Sequence, residues 1–122
     1  MPVRGIRGAV QVEADTAEAI SHATRDLLLQ ILESNPSLAP QDLASVFFTV
    51  TDDLCADYPA LAARTLPGWQ MVPLLCGREI PVTAGLPRTL RVLMHWNTDL
   101  AQDQVAHVYL GPASRLRPDL HT

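Results

Sequence analysis

Thr89-Leu90-Arg91-Val92-Leu93-Met94-His95-Trp96 alternates without a break. Successive side chains of a strand point to opposite faces, so Leu90, Val92, Met94 and Trp96 line one side and Arg91, Leu93 and His95 the other. The stretch therefore predicts a strand with one wholly apolar face laid on a core. A charge held in mid-strand is costly unless it is paired or turned to water, which leaves Arg91 either a rim salt bridge or a water-filled cleft. Working outward, residues 3–12 read as a second strand. Ile6, Val10 and Val12 share a face; Val3, Gly5, Arg7, Ala9 and Gln11 take the other. Arg7 repeats the mid-strand charge of Arg91, and Gly5 and Gly8 predict a bulge or a close backbone approach. Further strands are expected at 45–51, rich in β-branched and aromatic residues, at 71–75 with an interruption near Gly77, and at 105–110.

Between the first two strands in chain order, Ile20, Ala23, Leu27, Leu28, Ile31 and Leu32 fall on one helical stripe. Asp15 or Thr16 is placed to cap it, and Asn35-Pro36 to stop it. Residues 52–58 read as a loop or single turn. Pro59 then suits the first position of a short helix reaching Leu66, closed by Pro67-Gly68. One long helix, one short helix and about five strands make an α+β domain with a mixed β-sheet. A single long helix covers one sheet face, so the other is exposed or pairs with a second copy; the pattern predicts an oligomer.

The 122 residues suit a single domain, 1–122, with residues 115–122 expected as a mobile C-terminal tail. Hydrophobic residues at 48% and charged ones at 18% provide enough apolar material for a core. The formal charge is −4, and all nine basic residues are arginines scattered singly. Nucleic acid is thereby a poor fit, because phosphate neutralisation needs a basic face. The absence of any long apolar run argues against a membrane span, and the N-terminus lacks a signal-peptide pattern, so a cytoplasmic location is expected. Codon bias accounts for the missing lysines; the sharper reading makes some guanidiniums forks for carboxylates.

Cys55 and Cys76 show no zinc or disulfide spacing. His22, His95, His107 and His121 lie far apart, and neither a nucleophile elbow nor a phosphate loop is present. If the protein is an enzyme, the expectation is chemistry with neither metal nor activated nucleophile. Two mid-strand arginines, Arg7 and Arg91, point toward anion binding. Glu79, one of four glutamates, follows Cys76-Gly77-Arg78. Cys76 and Glu79 have opposite strand parity, so they share a pocket only if the chain kinks at Gly77. The alternative for Glu79 is an edge carboxylate paired to Arg78 or Arg88.

These residues sit within a longer pattern. Arg4-Gly5-Ile6-Arg7-Gly8-Ala9 resembles the opening of the small homotrimeric chorismate mutases, the class that is not all-helical. The likeness continues through Tyr58-Pro59-Ala60, Ala63-Arg64, Gly68-Trp69-Gln70 and Val72-Pro73. It resumes at Cys76 and Glu79, at Leu90-Arg91-Val92 and at Thr98-Asp99. Gln102-Asp103-Gln104, His107-Val108-Tyr109-Leu110 and Leu116-Arg117-Pro118-Asp119-Leu120 close it, so it covers nearly the whole chain in order. The resemblance implies a homotrimer of α+β subunits enclosing a pseudo α/β-barrel, with active sites between neighbours. It also implies conversion of chorismate to prephenate, a step toward phenylalanine and tyrosine, by an intramolecular [3,3] rearrangement that calls for no cofactor.

Roles are implied in the same way. Arg91 would face the ether oxygen, where negative charge grows in the transition state. Arg7 and Tyr109 would bind a carboxylate. Glu79 would accept from the ring hydroxyl beside Cys76, and Leu75 would offer main-chain contacts. Tyr58, Ala60 and Arg64 would come from the neighbouring subunit, and Arg117 from the tail would close the cleft. Leu61 stands where some members carry lysine, and Leu75 where some carry a polar residue. Two rivals stay open: a trimeric module that binds an aromatic acid without catalysis, and an enamine/imine deaminase, whose loop sequence is not seen.

Overall fold

A computed structural model describes residues 1–116. The five strands are β1 (Val3–Gln11), β2 (Leu43–Val50), β3 (Leu74–Arg78), β4 (Thr89–Asn97) and β5 (Val108–Tyr109), and the helices are α1 (Ala17–Ser34) and α2 (Pro59–Ala63). The strands form one mixed sheet in the order β3-β2-β4-β1-β5. β4 is its spine, antiparallel to both β1 and β2; β3 runs parallel to β2, and β5 parallel to β1. The α+β reading holds, with the same two helices.

The helix stripe seen in the sequence is the buried one. Ile20, Leu27, Leu28 and Ile31 are buried against Ile6, Phe48, Leu90, Met94 and Trp96 in a single core. Each such side chain contributes about 1.5–3 kcal/mol by leaving water. Thr16 is the N-cap of α1, its hydroxyl oxygen accepting from the N–H of Ala19. Gly8 marks a close approach of layers: a Cβ there would lie 3.0 Å from Cδ1 of Ile31, 3.1 Å from the carbonyl oxygen of Val108 and 3.1 Å from Cγ1 of Val92. β1 is regular through both of its glycines, so the bulge alternative is not what forms.

Three elements depart from expectation by more than two residues. The strand predicted at 71–75 begins only at Leu74, because the N–H of Val72 bonds back to the carbonyl of Trp69 in a turn that buries Trp69 and Val72. It also runs straight through Gly77. A Cβ at Gly77 would meet the Phe47 ring at 3.1 Å, so this glycine makes room for a neighbour's ring instead of kinking the chain. The last strand is only Val108–Tyr109, since Val105 closes a 3-10 turn and the Nδ1 of His107 accepts the N–H of Arg7. The regular part of α2 ends at Ala63, although single turns continue through Leu66. Arg115 ends a 3-10 turn, Leu116 packs against Ala9, Tyr109 and Ala113, and the expected tail beyond it lies outside the described residues.

Both helices lie on the face of the sheet that carries the core. The far face carries Gly5, Arg7 and Ala9 of β1, Arg91, Leu93 and His95 of β4, and Phe47 and Thr49 of β2, in register side by side. Phe47, Leu75 and Leu93 are exposed there. Among the described residues no helix is long and apolar enough to cross a membrane.

Candidate active site

The far face gathers the charges that the sequence singled out. Arg7, Phe47, Thr49, Glu79, Arg91, Leu93 and Tyr109 line one cavity of about 390 Å³. Register explains the grouping. Arg91 is the Cα partner of Ala9 on one side and Thr49 on the other; Arg7 pairs with Leu93; and Tyr109 pairs with Ala9. Glu79 follows the last residue of β3 and is fixed there by its own N–H, which donates to the carbonyl of Val50 at 2.9 Å. A second cavity of about 490 Å³ adjoins it, sharing Glu79 and Arg91 and walled in part by residues 80–83 and 85–87.

Glu79 is paired with Arg91, not with Arg78 or Arg88: Arg91 Nε lies 3.3 Å from Glu79 Oε2. The approach is an ion pair without hydrogen-bond alignment, and this buried Nε–H makes no hydrogen bond within the described chain. The hydroxyl of Thr49 donates to the same Oε2. Both contacts therefore fall on one oxygen, and among the described residues no donor engages Oε1. Such a carboxylate is an acceptor held in place with one oxygen to spare.

Arg88 enters β4 with φ 46°, the left-handed region that a non-glycine residue adopts only when its surroundings enforce it. Its N–H is shared between both carboxylate oxygens of Asp53, at 3.1 and 2.9 Å, and its Nε donates to the carbonyl of Val12 at 2.9 Å. Asp53 in turn accepts from the hydroxyl of Thr51. That hydrogen bond, helped by the Arg88 N–H and the Arg88 charge, holds the Asp53 carboxyl below its ordinary range. The network anchors the chain three residues before Arg91.

The remaining candidates fall elsewhere. Cys76 is beside Phe48 in register, packs on the core, and lines a third cavity of about 360 Å³ with Leu54, Cys55, Tyr58, Pro59 and Arg78. Cys76 and Glu79 thus lie on opposite faces of the sheet edge, which corrects the expectation of a shared pocket; without a kink at Gly77, parity keeps them apart. Tyr58 is exposed at the N-cap of α2, where Ala60 is buried and Arg64, just past the helix, is exposed. Leu75 is exposed on the far face and lines none of the three cavities. Arg117 lies outside the described residues. The sequence reading missed Thr49 and Phe47, although two-residue alternation of 45–51 places both on one face.

The chain is similar to known proteins over nearly its whole length. The family model described as chorismate mutase type I matches residues 3–120. The chain is 58% identical over 120 residues to chorismate mutase AroH of Thermus thermophilus, covering 98% of each, and 48% identical to that of Bacillus subtilis, covering 98% of this chain and 94% of the other. A solved chorismate mutase from Clostridium thermocellum superposes with a TM-score of 0.86 at 43% identity, over 91% of this chain and 97% of that one. The chain belongs to the type I chorismate mutase family.

Proposed function

We infer that this protein is an isomerase that rearranges chorismate to prephenate in aromatic amino acid biosynthesis, and we propose a mechanism and an assembly for it. The observation that carries the mechanism is the single cavity holding Arg7, Arg91, Tyr109 and a Glu79 carboxylate already pinned on one oxygen. The reaction breaks one C–O bond and forms one C–C bond through a cyclic shift of electron pairs, with no net proton transfer. A protein accelerates it by selecting the compact conformer of a flexible dianion and by matching the charge that separates in the transition state.

Arg91 supplies the positive charge at the ether oxygen. Its interaction grows as the C–O bond opens, so it acts on turnover more than on binding. Arg7 and Tyr109 hold a carboxylate, and Oε1 of Glu79 takes the ring hydroxyl. Leu75 contributes through its backbone. The non-catalytic aromatic-acid module is less favoured, because a fixed carboxylate weakens simple binding of a dianion yet fits a substrate that also bears a hydroxyl.

The proposed assembly is supported by where the two groups lie. Arg7, Glu79, Arg91 and Tyr109 occupy the far face; Tyr58 and Cys76 line the cavity on the helix side, with Ala60 and Arg64 close by in the chain. One subunit cannot bring the two groups together. A homotrimer that lays the helix-side cavity of one copy against the far face of the next completes a cleft and covers Phe47, Leu75 and Leu93. Cys76 then belongs with Tyr58, not with Glu79. Arg117 closes the cleft, and the enzyme works in the cytoplasm.

The test is purified protein mixed with chorismate, without added metal or cofactor. Prephenate formation well above the uncatalysed rate is expected. No acceleration sinks the reading; binding without turnover makes the protein a module instead.

A further inference from the structure

Residues 51–58 carry Tyr58 to the cleft, yet the segment has no regular secondary structure between β2 and α2. Its backbone is held by two opposite charges from distant parts of the chain. Arg78 Nη1 donates to the carbonyls of Thr51 at 2.9 Å and Leu54 at 2.8 Å, and Nη2 reaches the sulfur of Cys55 at 3.5 Å. Asp15 Oδ1 accepts the N–H groups of Cys55 at 2.8 Å and Ala56 at 2.9 Å. The guanidinium takes the carbonyls and the carboxylate the amides, so three consecutive residues, 54–56, are gripped from both sides. Asp15 is free to do this because Thr16, not Asp15, caps α1.

We propose that Arg78 and Asp15 are positioning residues that fix the loop bearing Tyr58, and so serve the half of the cleft that a subunit lends to its neighbour. Arg78 lines the helix-side cavity, but its guanidinium is engaged by the Thr51 and Leu54 carbonyls and the Cys55 sulfur. Its neighbour Glu79 points to the opposite face and serves the other half, so adjacent residues at the end of β3 act in two different clefts. Lysine cannot replace Arg78, since a point charge on a flexible stem does not span two carbonyls and a sulfur as a planar fork does.

The inference rests on the proposed inter-subunit cleft, and hybrid oligomers test the two separately. Arg64→Ala and Arg91→Ala chains are mixed first, after verified subunit exchange. Recovered activity supports the shared cleft, and its absence overturns that reading and the inference with it. Arg78→Met is then mixed with each. Alone it should lose about tenfold or more in kcat/KM while its melting curve and assembly state stay near the parent's. Mixed with Arg91→Ala it should recover, because a cleft forms from its intact far face and the partner's intact loop; mixed with Arg64→Ala it should not. Recovery with Arg64→Ala instead would show that Arg78 acts through Glu79, and full activity of Arg78→Met alone would show that the loop needs no clamp. Either result overturns the inference. Asp15→Ala and Arg78→Lys are expected to behave as Arg78→Met does, and they carry the test if Arg78→Met fails to fold.

Discussion

Replacing Thr49 by valine removes one hydroxyl and almost no volume, and the structure says what that hydroxyl does. It donates to Glu79 Oε2, the oxygen that also faces Arg91. A hydrogen bond to a charged group is worth about 1.5–3 kcal/mol, and the half-buried position of Thr49 argues for the lower end. If the whole of that is lost from the transition state, kcat/KM falls about tenfold, at about 1.4 kcal/mol per factor of ten. The loss appears because a Glu79 released from Thr49 turns both oxygens toward Arg91 and no longer presents Oε1 to the substrate. Chorismate disappearance under steady-state conditions gives kcat and KM, and a thermal melt shows whether the fold is affected. Thr49→Ser keeps the donor and should restore most of the rate. In a Glu79→Ala background, Thr49→Val should cost almost nothing, since its effect runs through the carboxylate. A Thr49→Val enzyme within twofold of the parent, or an equal loss in the Glu79→Ala background, would show that Thr49 does not act through Glu79.

Two predictions concern stability. Gly8→Ala sets a methyl against the Val108 carbonyl and the Ile31 and Val92 side chains at 3.0–3.1 Å, and such overpacking costs about 1–3 kcal/mol in chemical denaturation; an unchanged denaturation midpoint would show that the layers have slack. Asp53→Asn should lower the melting temperature at neutral pH. The Asp53 carboxyl is held below its ordinary value in the folded state, so its contribution is present above the unfolded-state pKa and fades as pH drops below about 4. The gap between parent and Asp53→Asn should therefore narrow in acid, and a gap that stays constant from pH 7 to pH 3 contradicts the assigned role.

Much of the candidate site was legible because strand alternation is a local rule. Arg7 and Arg91 were identifiable as mid-strand charges on the face away from the apolar stripe, and the sheet then placed them in one cavity. What could not be read was register across strands. Nothing local says that Thr49 sits beside Arg91, or that the Glu79 carboxylate prefers Arg91 over its sequence neighbour Arg78, because both facts depend on how β3 and β4 flank β2. Gly77 misled for a related reason. A glycine in a strand is ambiguous between a bend and a close approach, and only the Phe47 ring beside it decides. Arg78 and Asp15 look like surface charges in the sequence, and their task emerges only once the loop at 51–58 lies between them.

In the proposed mechanism the Arg91 charge stabilises the ether oxygen as the C–O bond breaks, not merely the bound dianion. Replacing Arg91 by citrulline keeps its shape and removes its charge, and kcat can be compared with the affinity for prephenate in the same preparation. A loss in kcat of about 100–1,000-fold is expected, the scale of removing a preorganised donor from a developing oxyanion, with a much smaller loss in prephenate affinity. Equal losses in both would contradict it and leave Arg91 as a binding residue only.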